Sequence, residues 1–138
     1  MLTKRDLEQL AQIRHDDALL LFQQNRCSTA YYIAGYAVEL GLKACIARLI
    51  QPNVIPEKAF INAIYVHKLD SLLSVAGLKS DFDVAVNADP KLAAYWAIAS
   101  NWSEESRYKL WEPFETASLL TAICDPTSGV FKWVKEHW

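Results

Sequence analysis

From Tyr31 to Leu49, apolar residues return every three or four positions: Tyr31, Ala34, Val38, Leu42, Cys45 and Leu49. That interval puts them on one face of an α-helix, long enough to be the central rod of a helical core. The helix is expected to run from an N-cap at Ser28 to Ile50. Gln51-Pro52-Asn53 stops it, because proline has no N–H to donate to the ladder. No segment alternates apolar and polar residues convincingly over a strand's length, so an all-α architecture follows.

The rest of the chain is divided by 4 Gly and 5 Pro that act as punctuation. Thr3 with Asp6 reads as a capping-box variant opening a first helix from Thr3 to Gln24. Its apolar positions are Leu7, Leu10, Ala11, Ala18 and Phe22. A short helix is expected within Pro56 to Tyr65, another from Lys68 to Ala76 with Gly77 as its stop, and a weak turn or two from Ser80 to Asn87. Asp89-Pro90 is a strong start, with Asp as N-cap and Pro at the first helical position, for a helix ending near Trp102. Ser103 to Leu110 reads as a polar connection, and Pro113 to Cys124 is helical again. Asp125-Pro126 repeats the start signal ahead of Val130, Phe131 and Val134. Short connections favour neighbours in sequence packing side by side. The expected fold is an antiparallel bundle of four to six helices, one domain over residues 1–138.

Composition narrows the function. With 52% hydrophobic and 22% charged residues, the chain has the apolar surface that disordered segments lack. Uncharged runs such as Cys27 to Val38 fall short of the ~20 residues a bilayer needs. The first residues turn charged at Lys4-Arg5-Asp6, so no signal core is expected. Cys27, Cys45 and Cys124 are widely spaced and form no CxxC pair, which fits reduced thiols and a cytoplasmic setting. A net charge of −2 argues against a general nucleic-acid binder and leaves room for a local basic groove. No cofactor or metal is expected. Asp81-x-Asp83 lacks the rest of a calcium loop, His15-Asp16-Asp17 does not converge on a metal, and no Gly-rich phosphate loop occurs.

The run Ala30-Tyr31-Tyr32-Ile33-Ala34-Gly35-Tyr36-Ala37-Val38-Glu39-Leu40-Gly41-Leu42-Lys43-Ala44 resembles the second helix of HEPN domains (higher eukaryotes and prokaryotes nucleotide-binding). Three further pieces follow in the family's order: Val66-His67-Lys68-Leu69, then Trp102-Ser103-Glu104-Glu105-Ser106-Arg107-Tyr108, then Trp133-Val134-Lys135-Glu136-His137-Trp138. The resemblance implies a small helical bundle, commonly a homodimer. Such domains often accompany a minimal nucleotidyltransferase in toxin–antitoxin pairs, or serve other defence systems. Many are ribonucleases with an arginine, four to six residues, then a histidine. There, histidine shuttles a proton and arginine stabilises phosphate charge.

That pair is absent. None of Arg5, Arg14, Arg26, Arg48 or Arg107 precedes His15, His67 or His137 at the required distance. The nearest imitation is Lys132 and His137, and lysine lacks the planar fork that suits phosphate. No catalytic residue is assigned.

The candidate ligand-binding residues are Tyr32, Tyr36, Glu39, Lys43, His67, Arg107 and Tyr108. Tyr32, Tyr36, Glu39 and Lys43 are spaced four, three and four apart and form one helical stripe. Gly35 beside them permits close approach of a backbone or a flat ligand. Equally, Glu39 and Lys43 are a solvated i, i+4 pair and the tyrosines a half-buried core or dimer surface. His67 either caps a helix start or sits near Asp70. Arg107 beside Tyr108 either clamps a phosphate or braces the bundle through Glu39, Glu104 or Asp70. The 5 Trp either pack or stack on bases.

The expectation is therefore a HEPN-like binding module for a nucleotide, an RNA or a partner protein, without ribonuclease activity. The alternatives are a divergent ribonuclease and a structural partner of a nucleotidyltransferase. A homodimer is expected, with Gly35, Gly41, Tyr32 and Tyr36 on its interface.

Overall fold

The computed structural model describes residues 1–138 and is an all-α bundle. Its helices are α1 (Lys4–Gln23), α2 (Cys27–Ala47), α3 (Lys58–Ile64), α4 (Leu69–Val75), α5 (Lys79–Ala88), α6 (Pro90–Ala99), α7 (Pro113–Cys124) and α8 (Val130–Lys135), with a 3₁₀ helix at Glu104–Tyr108 between α6 and α7. The count exceeds four to six because weakly patterned segments close into helices of 5 to 10 residues. No helix is long and apolar enough to cross a membrane.

Helix α2 is the axis. It buries 13 of its 21 residues, and α1, α4, α7, α8 and the 3₁₀ helix all pack on it. A helix apolar nearly all round must be surrounded, whereas α1 buries only Leu7, Ala11 and Ala18 and wets its other face. The two form a hairpin that turns at Asn25, whose φ of 59° is the left-handed conformation asparagine tolerates.

Local signals hold at several boundaries. The Thr3–Asp6 capping box is present at α1, and Asp89 caps α6 by accepting from the N–H groups of Lys91 and Leu92. Gly77 ends α4 with φ of 71°, and Pro113 stands in the first turn of α7. Other expectations are corrected. Ser28 does not cap α2: the Asn25 turn lets the helix begin at Cys27, and Ser28 Oγ instead accepts from the Trp111 N–H at 2.9 Å. α2 stops at Ala47, since its last turn tightens into i→i−3 bonds at Leu49 and Ile50. Leu49 is therefore 44% exposed rather than core. Asp125-Pro126 starts no helix. Asp125 Oδ1 accepts from the N–H groups of Thr127 and Ser128, both at 2.8 Å, and this turn delays α8 to Val130. Ser103 to Leu110 is largely the 3₁₀ helix.

The glycines of α2 serve packing within the chain. The indole of Trp102 lies on Gly35, where an added Cβ would fall 2.2 Å from the ring. Gly41 faces Val134 and Trp138. The flat group that Gly35 admits is thus the protein's own tryptophan. Trp102 is buried, and Trp96, Trp111, Trp133 and Trp138 pack against the core as half-buried rings. Gly35→Ala is expected to cost about 1–3 kcal/mol, the usual range for overpacking. Urea unfolding checks this, and an unchanged midpoint would show that the ring does not depend on the missing Cβ.

Candidate functional site

Helix α2 carries the expected stripe, and the neighbouring elements bring the remaining candidates to it. Glu39 is the one charged residue among the buried set, 2% exposed at the centre of the bundle. Its Oε1 accepts from Lys43 Nζ at 2.9 Å, one turn along α2. The same oxygen lies 2.9 Å from His67 Nδ1, which the stretch ahead of α4 presents. The Glu39–Lys43 pair is therefore a buried bridge and not a solvated one. His67 neither caps α4 nor touches Asp70, whose Oδ1 accepts from Trp96 Nε1.

Glu39 Oε1 is shared between Lys43 Nζ and His67 Nδ1, while Oε2 is buried without a hydrogen-bond partner within the chain. Lys43 is the charged partner of Glu39. His67 meets the same oxygen through Nδ1. Its Nε2 makes no hydrogen bond within the chain, and the side chain is 47% exposed.

Towards the N-terminus of α2 the stripe is aromatic. Tyr32 stacks with Tyr36 and with Trp102, each at 6.0 Å between centroids. Burial, and then the Glu39 charge, raise the Tyr36 phenol above its usual range. Arg107, on the 3₁₀ helix, is fully exposed and lies 4.8 Å from the centre of the Tyr108 ring. The Tyr108 phenol foremost, then Tyr32, hold its guanidinium more firmly protonated than usual. Arg107 makes no ion pair with Glu39, Glu104 or Asp70 or with any other carboxylate. The bracing role is therefore absent.

The seven candidates thus form two adjoining groups. Tyr32, Tyr36, Arg107 and Tyr108 make an aromatic–guanidinium end, and Glu39, Lys43 and His67 make a buried-charge end. Tyr32 and Glu39 are seven positions apart, so the ends stand roughly 10 Å apart along α2 at ~1.5 Å per residue. Trp102 belongs to the first group and was not among the candidates. Its only sequence cue is Gly35, and spacing cannot pair residues so remote in the chain.

Lys132 and His137 form no site. Lys132 pairs with Glu136, and His137 Nδ1 donates to the Trp133 carbonyl at 2.7 Å. No group of three or more His, Cys, Asp or Glu side chains could hold a metal ion. Burial pushes the thiols of Cys45 and Cys124 up to about 11 and about 12, away from the thiolate form that reactivity needs.

Comparison with family models, curated proteins and solved structures finds no match in any of the three.

The buried pair makes an asymmetric prediction for stability. Lys43→Met strands a buried carboxylate and is expected to cost about 3–5 kcal/mol. His67→Ala removes one charge-assisted bond from a half-exposed ring and is expected to cost about 1.5 kcal/mol or less. Chemical denaturation of both variants checks the order, and equal losses would contradict the assignment of Lys43 as the counterion.

Proposed function

We propose that this chain is a HEPN-like binding module whose aromatic–guanidinium face takes the phosphate and base of a nucleotide, free or within single-stranded RNA. The observation that carries the reading is Arg107: an exposed guanidinium, unneutralised by any carboxylate, beside Tyr108 and Tyr32. Arginine suits phosphate through its bidentate fork, and adjacent aromatic rings offer stacking surfaces to a base. The overall acidity of the chain does not oppose this, because the cation is local.

Binding is favoured over cleavage by distance. His67 lies against Glu39 and Arg107 beside Tyr32, two positions of α2 that stand roughly 10 Å apart along its axis at ~1.5 Å per residue. One scissile phosphate does not span both. The HEPN resemblance further implies a minimal nucleotidyltransferase as partner and a toxin–antitoxin or other defence setting.

Arg107→Ala is expected to weaken binding of a mixed-sequence single-stranded RNA at least tenfold while leaving the unfolding midpoint nearly unchanged. The slope of log K against log salt should fall by about one. Titration of wild type and variant at several salt concentrations checks it. Equal affinities, or no binding by the wild type, would favour the partner-protein reading. In the same metal-free samples the RNA should remain intact. Cleavage lost in His67→Ala would establish the ribonuclease alternative instead.

The same corner supports self-association. Leu110 and Phe114 follow Tyr108 and are each 85% exposed, an apolar edge that a second copy would cover. Light scattering is expected to give twice 15.6 kDa, and Phe114→Glu to halve that value. A wild-type mass near 15.6 kDa would rule the dimer out.

A further inference from the structure

We propose that the end of the bundle made by the close of α2, the loop after it and α3 docks on the surface of an anionic lipid bilayer. It lies outside the aromatic–guanidinium face and does not depend on the nucleotide reading.

The first observation is the distribution of charge. From Ala44 to Lys68 the only acidic residue is Glu57, against Arg48, Lys58 and Lys68. This stretch therefore carries +2 in a chain of net −2, and the rest of the chain carries −4. All three cations are exposed, and none forms an ion pair. Every other lysine of the chain meets a carboxylate or, for Lys135, the Gln12 amide. Lys58 and Lys68 are thus the two lysines left without a side-chain partner, and they bracket α3.

The second observation is the apolar surface between these cations. Phe60 and Ile64 of α3 pack on the core, while Ile61 and Tyr65, one turn apart, are exposed. Leu49 and Ile50 are exposed at the close of α2, and in the loop Val54 is exposed and Ile55 is 93% exposed. These side chains are contiguous. Leu49, Ile50 and Val54 line one hollow, Leu2, Ile50, Ile61 and Tyr65 line its neighbour, and the two share Ile50 and Pro56. Ile55 projects beside them.

Exposed aliphatic side chains set among free cations fit an anionic bilayer. Val54 and Ile55 can enter the boundary between headgroups and acyl chains, Tyr65 has the amphipathic ring suited to that depth, and Arg48, Lys58 and Lys68 meet the lipid charge. The acidic remainder of the chain is repelled by the same surface, which turns this end towards it. A second copy fits poorly, because two-fold pairing would set the patch and its cations against themselves. A protein partner fits less well, because lysine is depleted from protein interfaces and their anchors are mostly aromatic or arginine. No spanning helix is required, and none is present.

Flotation with vesicles of phosphatidylserine and phosphatidylcholine tests the proposal. The protein is expected to rise with these vesicles, to be released as salt is raised, and to bind vesicles of phosphatidylcholine alone at least tenfold more weakly. Replacing Arg48 and Lys58 together by Gln should weaken binding to the mixed vesicles roughly 25-fold, the equivalent of ~1 kcal/mol for each cation. Ile55→Ser removes a side chain that packs on nothing in the free protein, so helicity and the unfolding midpoint should be unchanged. Its binding should nonetheless fall about tenfold or more, for loss of the apolar group that enters the bilayer. The proposal is overturned if the wild type does not rise with the mixed vesicles, if Ile55→Ser rises as the wild type does, or if the loss follows Phe114→Ser instead. Binding to soluble poly-glutamate with none to vesicles would overturn it in favour of an acidic protein partner.

Discussion

Helix α2 is buried along most of its circumference, and whatever it carries must be accommodated by its neighbours. Small residues meet that demand on one side: Gly35 admits the Trp102 indole and Gly41 admits Val134 and Trp138, so the 3₁₀ connection and the C-terminal helix seat against the same rod. Glu39 meets it differently. An isolated carboxylate at 2% exposure would be too costly, and Lys43 and His67 converge on one of its oxygens. That convergence ties the segment before α4 to the centre of α2, and it leaves the second oxygen without a partner.

The division of the candidate residues into two ends follows from this packing. Arg107 would have been a structural brace had it reached Glu39, but Glu39 already has its counterion one turn away. The guanidinium is left exposed on the 3₁₀ helix, with phenol rings as its neighbours. An unneutralised cation beside stacked aromatics is suited to an anion with a planar appendage. The half-exposed His67 stands at the other end of the stripe, against Glu39. Proximity of residues on one helix is not convergence on one atom, and the difference separates a binding face from a catalytic one.

The α2–α3 end of the bundle is less complete. The early stop of α2 at Ala47 leaves Leu49 and Ile50 outside the core, and α3 covers them only in part. The consequence is an open apolar hollow whose inner wall is the same Lys43 that neutralises Glu39.

Several features were legible in the sequence because they depend on residues close together in the chain. Helical class followed from the three- and four-residue interval of apolar side chains and the absence of alternation. The Thr3–Asp6 box, the Gly77 stop and the Asp89-Pro90 start followed from capping chemistry that acts over three or four positions. The Tyr32, Tyr36, Glu39 and Lys43 stripe followed from helix geometry alone. Tertiary structure decided the rest. Asp125-Pro126 carries the same start signal as Asp89-Pro90 and makes the same cap-type bonds, to the N–H groups of Thr127 and Ser128, yet the chain closes only a turn there before α8 begins at Val130. Ser28 is drawn from capping to the backbone of Trp111, and His67 from a helix start to Glu39. At Ser28 and His67 a polar group with more than one available partner was claimed by one that folding brought near. Helix periodicity is written into neighbouring residues, whereas the choice among hydrogen-bond partners depends on which distant segment packing delivers to the same place.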